Sequence, residues 1–285
     1  MNKLLFTVLT VSLAAMMAAC GSSEEKGDYI DKMSMEHEGD TPVQNEAADL
    51  KQAGQVSGQE VTYATVNGRD VKGYLAQPEN VDSNTPGIIV IHEWWGLNDN
   101  IRMMTDKLAG EGYTALAVDM YDGKVAESPD SAGTYARSVN EEEAIDNLTQ
   151  AYGYLNEQQD AQNIGVIGWC FGGGWSLQTA LAHPQKIDAT VIYYGRLVTE
   201  TEQLQKLQMP VLGIFGAEDE GIPPKTVNAF EAALNEAGVS NSIHIYDNAG
   251  HAFANPSGTR YNKEAAEDAW QKTTTFLETN LKKVN

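Results

Sequence analysis

The sequence predicts an α/β fold in three layers, with a doubly wound, mostly parallel sheet of about eight strands between two layers of helices. Short apolar runs rich in β-branched residues alternate with longer amphipathic stretches, as in βαβ units. The runs at 88–91 and 164–167 are almost wholly apolar, which central parallel strands require because both their faces are covered. Residues 58–285 show no further change of composition and no internal repeat, so we expect them to form a single domain large enough for a hydrophobic core.

Each predicted element follows from local pattern. The strands are predicted at 61–66, 71–77, 87–92, 115–119, 163–168, 189–194, 211–215 and 242–246. The helices are predicted at 99–111, 140–158, 172–182, 223–237 and 262–281. Asn67-Gly68 is a hairpin signal, which makes the first two strands an antiparallel pair. Gly112 supplies a stop for the first of these helices. In a doubly wound sheet the active residues lie past the carboxyl ends of the strands.

The first 19 residues are typical of a secretion signal, with a positive start and an apolar stretch that is short for a membrane span. Met17-Ala18-Ala19-Cys20-Gly21 resembles the lipobox of bacterial lipoproteins, in which the cysteine is lipidated. The resemblance implies a cell-envelope protein with a lipid anchor at Cys20, on the outer-membrane or cell-surface side. An ordinary signal peptide cut nearby is the alternative, and would give a periplasmic protein.

Residues 20–57 are predicted to be the lipidated cysteine and a flexible acidic tether. Positions 21–57 hold nine acidic and three basic residues and few large apolar side chains. Such a segment buries too little surface to offset the entropy of ordering, so we expect a solvated spacer. His37 falls within it and receives no specific role.

The formal net charge of −21 argues against nucleic acid or an anionic membrane surface as the partner. The oligomeric state is left open, with a monomer as one option. If Cys20 is lipidated, Cys170 is the only thiol left, so no disulfide framework exists and Cys170 needs another explanation.

Gly168-Trp169-Cys170-Phe171-Gly172 lies where a predicted strand meets a predicted helix. A nucleophile elbow needs small residues two before and two after the nucleophile, because the turn is too tight for side chains there. The helix N-terminus also favours a thiolate at Cys170. The alternative is a buried structural cysteine beside a glycine-rich helix start.

Two partners follow in the chain order that this kind of site requires, nucleophile, then acid, then histidine. His251 comes just after the last predicted strand and would take the thiol proton. Spacing alone allows several acids near it, namely Glu218, Asp219, Glu220 and Asp247. We favour Asp219, because the acid usually lies a few residues past its strand. The predicted triad is Cys170, His251 and Asp219.

The segment from His92 to Asn98 fills the loop that usually completes an oxyanion hole. We expect two backbone donors, the N–H groups of Phe171 and Trp94. Glu93 is an unusual carboxylate at a strand end and is expected to act in the site, with a solvent-facing glutamate as the alternative. Trp95 is expected to wall an apolar pocket together with Trp94.

With these motifs in place, the sequence resembles the dienelactone hydrolase family of cysteine-dependent α/β-hydrolases. The matching segments are 92–98, 168–173, 217–223 and 248–253. The resemblance implies a Cys170–Asp219–His251 triad and a Glu93 carboxylate that contacts the resting thiol. It also implies hydrolysis of a lactone or ester through an acyl-thioester on Cys170.

Two positions depart from the family pattern. Best-studied members have arginine where this chain has Asn255, and another arginine near Asp122-Gly123-Lys124. Those arginines hold a substrate carboxylate, and lysine is no geometric equivalent of a guanidinium fork. We therefore place Lys124 and Asn255 among the substrate-binding residues but leave the charge of the substrate open.

Two other functions compete with hydrolysis, a non-catalytic envelope binding protein on a hydrolase fold and an acyltransferase. No cofactor is expected. No metal is expected either, because the histidines and the domain cysteine show no ligand spacing along the chain.

Overall fold

The computed structural model describes residues 23–40 and 55–282. Its centre is one sheet of eight strands which, numbered along the chain, lie side by side in the order 1-2-4-3-5-6-7-8. The first strand pairs antiparallel with the second and the second with the fourth, and all the other neighbours are parallel. The predicted fold class and strand number are confirmed. The signal peptide and Cys20 lie outside the described residues.

All eight predicted strands are present, with small shifts at their ends. They are β1 Val56–Val66, β2 Arg69–Pro78, β3 Gly87–Ile91, β4 Thr114–Val118, β5 Ile164–Trp169, β6 Ala189–Tyr193, β7 Val211–Gly216 and β8 Asn241–Tyr246. Every residue of β3, β4, β5, β6 and β7 is buried, as strands covered on both faces must be. The predicted hairpin turn has positive φ at both Asn67 and Gly68.

The helices include all those predicted and three that were not. They are α1 Ser23–Glu36, α2 Asp99–Gly110, α3 Pro129–Ser138, α4 Glu141–Gly153, α5 Phe171–Ala182, α6 Thr201–Leu204, α7 Pro224–Ala237 and α8 Lys263–Leu281. A single helix was predicted at 140–158, but α4 ends at Gly153 and continues as a π-helical turn, Tyr154–Gln158. The helices α1, α3 and α6 were not predicted.

The prediction of a solvated spacer at 21–57 is wrong for the part of it that the structure describes. Residues 23–36 are helical, and α1 packs against α3. Ile30, Met33 and His37 are buried against the domain, and β1 already begins at Val56. The composition argument considered what the segment can bury by itself, whereas the domain supplies the apolar surface that covers it. No helix among the described residues is long and apolar enough to cross a membrane.

Candidate active site

Cys170 lies on a sharp turn between β5 and α5, in backbone geometry that a non-glycine residue seldom adopts. Its φ is 54° and its ψ is −118°. A Cβ on Gly168 would lie 2.2 Å from the Gly172 carbonyl oxygen, and one on Gly172 would lie 2.3 Å from that of Ile91. Only glycine fits at either position. The structure therefore has the elbow geometry predicted around Cys170.

His251 follows β8, and its partner follows the neighbouring strand β7. The Nδ1 atom of His251 is 2.8 Å from Oδ2 of Asp219, and both side chains are fully buried. The other Asp219 oxygen accepts a hydrogen bond of 2.7 Å from the Ile222 N–H. The remaining candidate acids, Glu218, Glu220 and Asp247, are exposed. Of the four candidates, the structure brings Asp219 to the histidine.

The thiol and the free nitrogen of His251 face each other. Cys170 Sγ and a ring nitrogen of His251 lie within 4.8 Å, and Nε2 of His251 has no hydrogen-bond partner among the described residues. Burial disfavours the thiolate, but the charge of His251 and the imidazole groups of His251 and His37 that face the sulfur outweigh it and lower the pKa of Cys170 to about 6. Cys170 is therefore largely a thiolate at neutral pH.

The pKa of the His251 imidazole is raised, which favours an imidazolium beside the thiolate. Burial alone would lower the pKa of His251, but the Asp219 carboxylate and the Cys170 thiolate raise it well above its usual value. For Asp219, burial is opposed by His251 and by backbone N–H groups, and its pKa is lowered. The site thus rests as a buried thiolate–imidazolium pair beside an ionised carboxylate.

Glu93 is buried beside this pair. Burial and the nearby Cys170 thiolate raise the pKa of Glu93 to about 8, against the opposing effects of His251 and Asn255. The Asn255 Nδ2 atom donates a hydrogen bond to Oε2 of Glu93. A carboxyl group that is mostly neutral at pH 7 is tolerated next to a thiolate, whereas an ionised one would repel it. Asn255 is thereby a direct partner of Glu93.

The helix α1 and the turn after it cover the thiol. Met33 Sδ is 3.9 Å from Cys170 Sγ, and the His37 ring stacks on Trp94 with centroids 4.5 Å apart. The His37 ring also meets that of His251 edge-on at 5.3 Å. Cys170 is only 1% exposed, so an acyl group reaches Sγ only after a covering side chain moves.

A cavity of about 300 Å³ opens beside His37. Trp95 and Asn255 line it together with Arg260. Lys124 does not line it: the side chain is exposed, and its Nζ lies 5.4 Å from the centre of the Tyr135 ring, by another pocket. The structure therefore separates Lys124 from the other predicted substrate-binding residues.

Three side chains here could together bind a metal ion. His37, Cys170 and His251 each direct one ligand atom into the same space, all within 4.8 Å of one another. Two imidazoles and a thiolate are ligands that zinc accepts. The ligands come from residues 37, 170 and 251, so no local spacing could have indicated the cluster.

Comparison with known proteins identifies the family. The sequence profile described as "Dienelactone hydrolase family" matches residues 71–281. This chain belongs to the dienelactone hydrolase family. As a member, it is a hydrolase of the class that acts on carboxylic ester bonds, as predicted.

The match with related family members covers nearly their whole length. A "Putative carboxymethylenebutenolidase" of Saccharolobus solfataricus is 33% identical over 250 residues, covering 74% of this chain and 95% of that protein. "Protein usf" of Aquifex pyrophilus is 34% identical over 224 residues, covering 75% of this chain and 96% of that protein. A "Putative Dienelactone Hydrolase" crystal structure from Klebsiella pneumoniae is similar with a TM-score of 0.71 and 28% identity, covering 78% of this chain and 98% of that one.

Met33, His37 and Asp40 were not predicted from the sequence to lie at the site. They precede the segment that the family profile matches, which begins at residue 71. One local signal was present: Ile30, Met33 and His37 have the i, i+3, i+7 spacing of one helical face. The charged residues between them hid that pattern in the composition of the segment.

Proposed function

We propose that this protein hydrolyses carboxylic esters or lactones through an acyl-thioester on Cys170. The observation that carries the proposal is the strained Cys170 at the elbow, facing the unpartnered Nε2 of His251, whose Nδ1 is held by Asp219. A merely structural cysteine has no use for a buried, carboxylate-oriented imidazole beside it. The membership of the hydrolase family supports the same chemistry.

Acylation follows from the arrangement of these groups. The Cys170 thiolate attacks the ester carbonyl carbon, and the carbonyl oxygen becomes an oxyanion. Phe171 begins α5, so its N–H is one of the donors that a helix leaves unbonded at its N-terminus. We assign the oxyanion to this N–H and that of Trp94, each worth on the order of 3 kcal/mol in the transition state. Collapse breaks the carbon–oxygen ester bond, and the His251 imidazolium protonates the departing alkoxide.

Deacylation returns the enzyme to its starting state. Water attacks the thioester carbon while a base accepts one of its protons, and the carbon–sulfur bond then breaks. The products are the Cys170 thiolate and a carboxylic acid; the base releases its proton to solvent, and the acid proton returns to His251 and leaves a carboxylate. The neighbouring Asp219 stabilises the imidazolium that His251 forms in such steps.

The cavity favours an uncharged substrate. The carboxylates of Asp40, Asp99 and Glu127 line it, and Arg260 is the one lysine or arginine among the described residues that line it. That guanidinium lies 3.3 Å from Glu36 and 3.5 Å from Asp40, so its charge is already matched. We propose neutral esters or lactones as the substrate class.

The direct test compares wild type with Cys170→Ala on small activated esters such as p-nitrophenyl acetate. We expect hydrolysis to be lost in the variant, and equal rates would refute Cys170 as the nucleophile. Ser176→Ala, on α5 but outside the elbow, is the matched control and is expected to keep activity. Transfer of the acyl group to an added alcohol or amine in preference to water would instead favour an acyltransferase. No turnover of any ester and no labelling of Cys170 by iodoacetamide would favour a binding protein.

We further propose that the protein is anchored to the cell envelope through a lipid on Cys20. The supporting feature is the sequence Met17-Ala18-Ala19-Cys20-Gly21 after an apolar stretch. An inhibitor of lipoprotein signal peptidase should cause the uncleaved precursor to accumulate in cells. Unchanged processing would point to an ordinary signal peptide and a periplasmic protein.

A further inference from the structure

Cys170 has two imidazole–carboxylate pairs beside it. His37 Nδ1 lies 2.8 Å from Asp40 Oδ2, and His251 Nδ1 lies 2.8 Å from Asp219 Oδ2. In each pair the carboxylate takes one ring nitrogen and leaves Nε2 free. Both Nε2 atoms are buried and lack a hydrogen-bond partner among the described residues. Both rings have a ligating nitrogen within 4.8 Å of Cys170 Sγ.

The orientation of His37 is fixed from several sides. Its ring stacks on Trp94 and meets Trp95 edge-on with centroids 5.7 Å apart. Asp40 is itself held, since Thr259 Oγ1 donates to it at 2.8 Å and Arg260 lies 3.5 Å away. A buried nitrogen without a partner is costly, so a ring fixed this firmly with Nε2 toward the thiol indicates a role for that nitrogen.

Both imidazoles are buried, with exposed fractions of 3% for His37 and 0% for His251, but they differ in their position relative to the cavity. His37 lines the open cavity of about 300 Å³, whereas His251 is wholly buried and does not line it. His37 therefore lies between the space from which water arrives and the sulfur that carries the acyl group. Met33 covers the sulfur with a flexible thioether, which an acyl group can displace while Asp40 and Trp94 keep His37 in place.

We propose that His37, oriented by Asp40, is a second catalytic imidazole and acts as the general base of deacylation. The inference rests on the proposed thioester mechanism and assigns its proton transfers to two different histidines. His251 serves acylation by protonating the leaving alkoxide. In deacylation His37 Nε2 accepts a proton from a cavity water as the water oxygen bonds to the thioester carbon. The carbon–sulfur bond then breaks and the electron pair returns to sulfur. The proton on His37 passes to solvent, and the proton of the carboxylic acid product returns to His251 and restores its imidazolium.

The test separates the two half-reactions with p-nitrophenyl acetate in rapid mixing. In His37→Ala we expect the burst of nitrophenol to persist, because it reports acylation. We expect the steady-state rate to fall by about 10- to 100-fold, within the usual contribution of a general base. The values of kcat and KM should fall together, leaving kcat/KM nearly unchanged, and acetyl-enzyme should accumulate in the intact mass. Added imidazole should restore part of the steady-state rate.

Two further variants guard against a folding explanation. His37→Gln fills the same space without a basic nitrogen and should behave like His37→Ala, while Asp40→Asn should show a smaller fall of the same kind. His244→Ala, at a half-buried position of β8 outside the cavity, should match wild type. The proposal is overturned if His37→Gln turns over like wild type, or if His37→Ala loses the burst together with the steady-state rate. Undiminished hydrolysis in Cys170→Ala would refute the thioester mechanism itself, which is a separate result.

Discussion

The sulfur of Met33 lies 3.9 Å from the sulfur of Cys170, so a residue outside the family-matched segment directly covers the proposed nucleophile. The terminal methyl of Met33 packs where Gly221 lacks a side chain, since a Cβ there would lie 2.4 Å from Met33 Cε. The N-terminal helix thereby contacts both the loop of Cys170 and the loop that follows Asp219. We expect access to Cys170 to depend on this contact.

Shortening the covering side chain should expose the thiol. In Met33→Ala we expect iodoacetamide to alkylate Cys170 about tenfold faster, because losing about 1.4 kcal/mol of packing raises the open population by that factor. Met35→Ala is the matched control, since Met35 is on the same helix but 75% exposed. Equal rates in Met33→Ala and wild type would show that Met33 does not limit access.

Ion pairs also hold α1 and the turn after it over Cys170. Arg260 reaches both Glu36 and Asp40, and the Glu220 N–H donates to Glu36 at 3.1 Å. Arg260→Gln should raise the alkylation rate two- to fivefold, which corresponds to about 0.5–1 kcal/mol for a partly exposed ion-pair network. Added salt should raise the rate in wild type more than in the variant, because it screens these pairs. Arg69→Gln, whose pairs are with Asp122 and Glu143, should alkylate like wild type at every salt concentration.

The pH dependence of alkylation tests the electrostatics of the site. Thiolate is the reactive form, so the rate should increase as pH rises through the pKa of Cys170, about 6. In Asp219→Asn the imidazolium of His251 loses its carboxylate, and the thiol pKa should shift upward. A rise of about one pKa unit would lower the thiolate fraction at pH 6 from about one half to about one eleventh, so the rate there should fall about fivefold. Glu220→Gln, an exposed neighbour, should leave the midpoint where it is. A midpoint near that of an ordinary cysteine in wild type would contradict the thiolate–imidazolium pair.

The charge of the cavity predicts substrate preference. A neutral ester should be hydrolysed with a kcat/KM about tenfold higher than a matched ester that carries a carboxylate, since about 1.4 kcal/mol of repulsion gives that factor. Asp99→Asn with Glu127→Gln should narrow the gap, because both carboxylates line the cavity. Glu60→Gln, on β1 and outside the cavity, should leave it unchanged. A preference for the anionic ester would refute the assignment of a neutral substrate.

The central architecture could be predicted from local patterns. Continuous apolar runs predicted the parallel strands. The glycines at 168 and 172 predicted the sharp turn at Cys170, because so tight a turn excludes any side chain at those positions. Asp219 was favoured from its distance past a strand, and its neighbours Glu218 and Glu220 are exposed in the structure. Each of these inferences needs only a few adjacent residues.

The cover over the site could not be predicted in the same way. Met33 of α1 packs on Cys170, and His37 in the turn after it packs on Trp94, so the surface that covers them comes from residues more than fifty positions away in sequence. Lys124 was placed in the substrate site by analogy, but positive φ at Asp122 and Gly123 turns the chain and leaves its ammonium near Tyr135. Long-range packing decides the position of α1, and a local turn decides that of Lys124. The i, i+3, i+7 spacing of Ile30, Met33 and His37 indicates a helical face but not the surface that covers it, and the turn is not visible in composition or periodicity.

Trapping the acyl-enzyme tests the thioester mechanism most directly. The protein is mixed with p-nitrophenyl acetate, quenched in acid during the steady state, digested and mapped by mass spectrometry. We predict one added acetyl group on the peptide that contains Cys170, released by hydroxylamine at neutral pH as a thioester is, and absent in Cys170→Ala. Turnover with no acetyl group on Cys170 under any quench time, or acetylation of another residue that is competent for turnover, would contradict the mechanism.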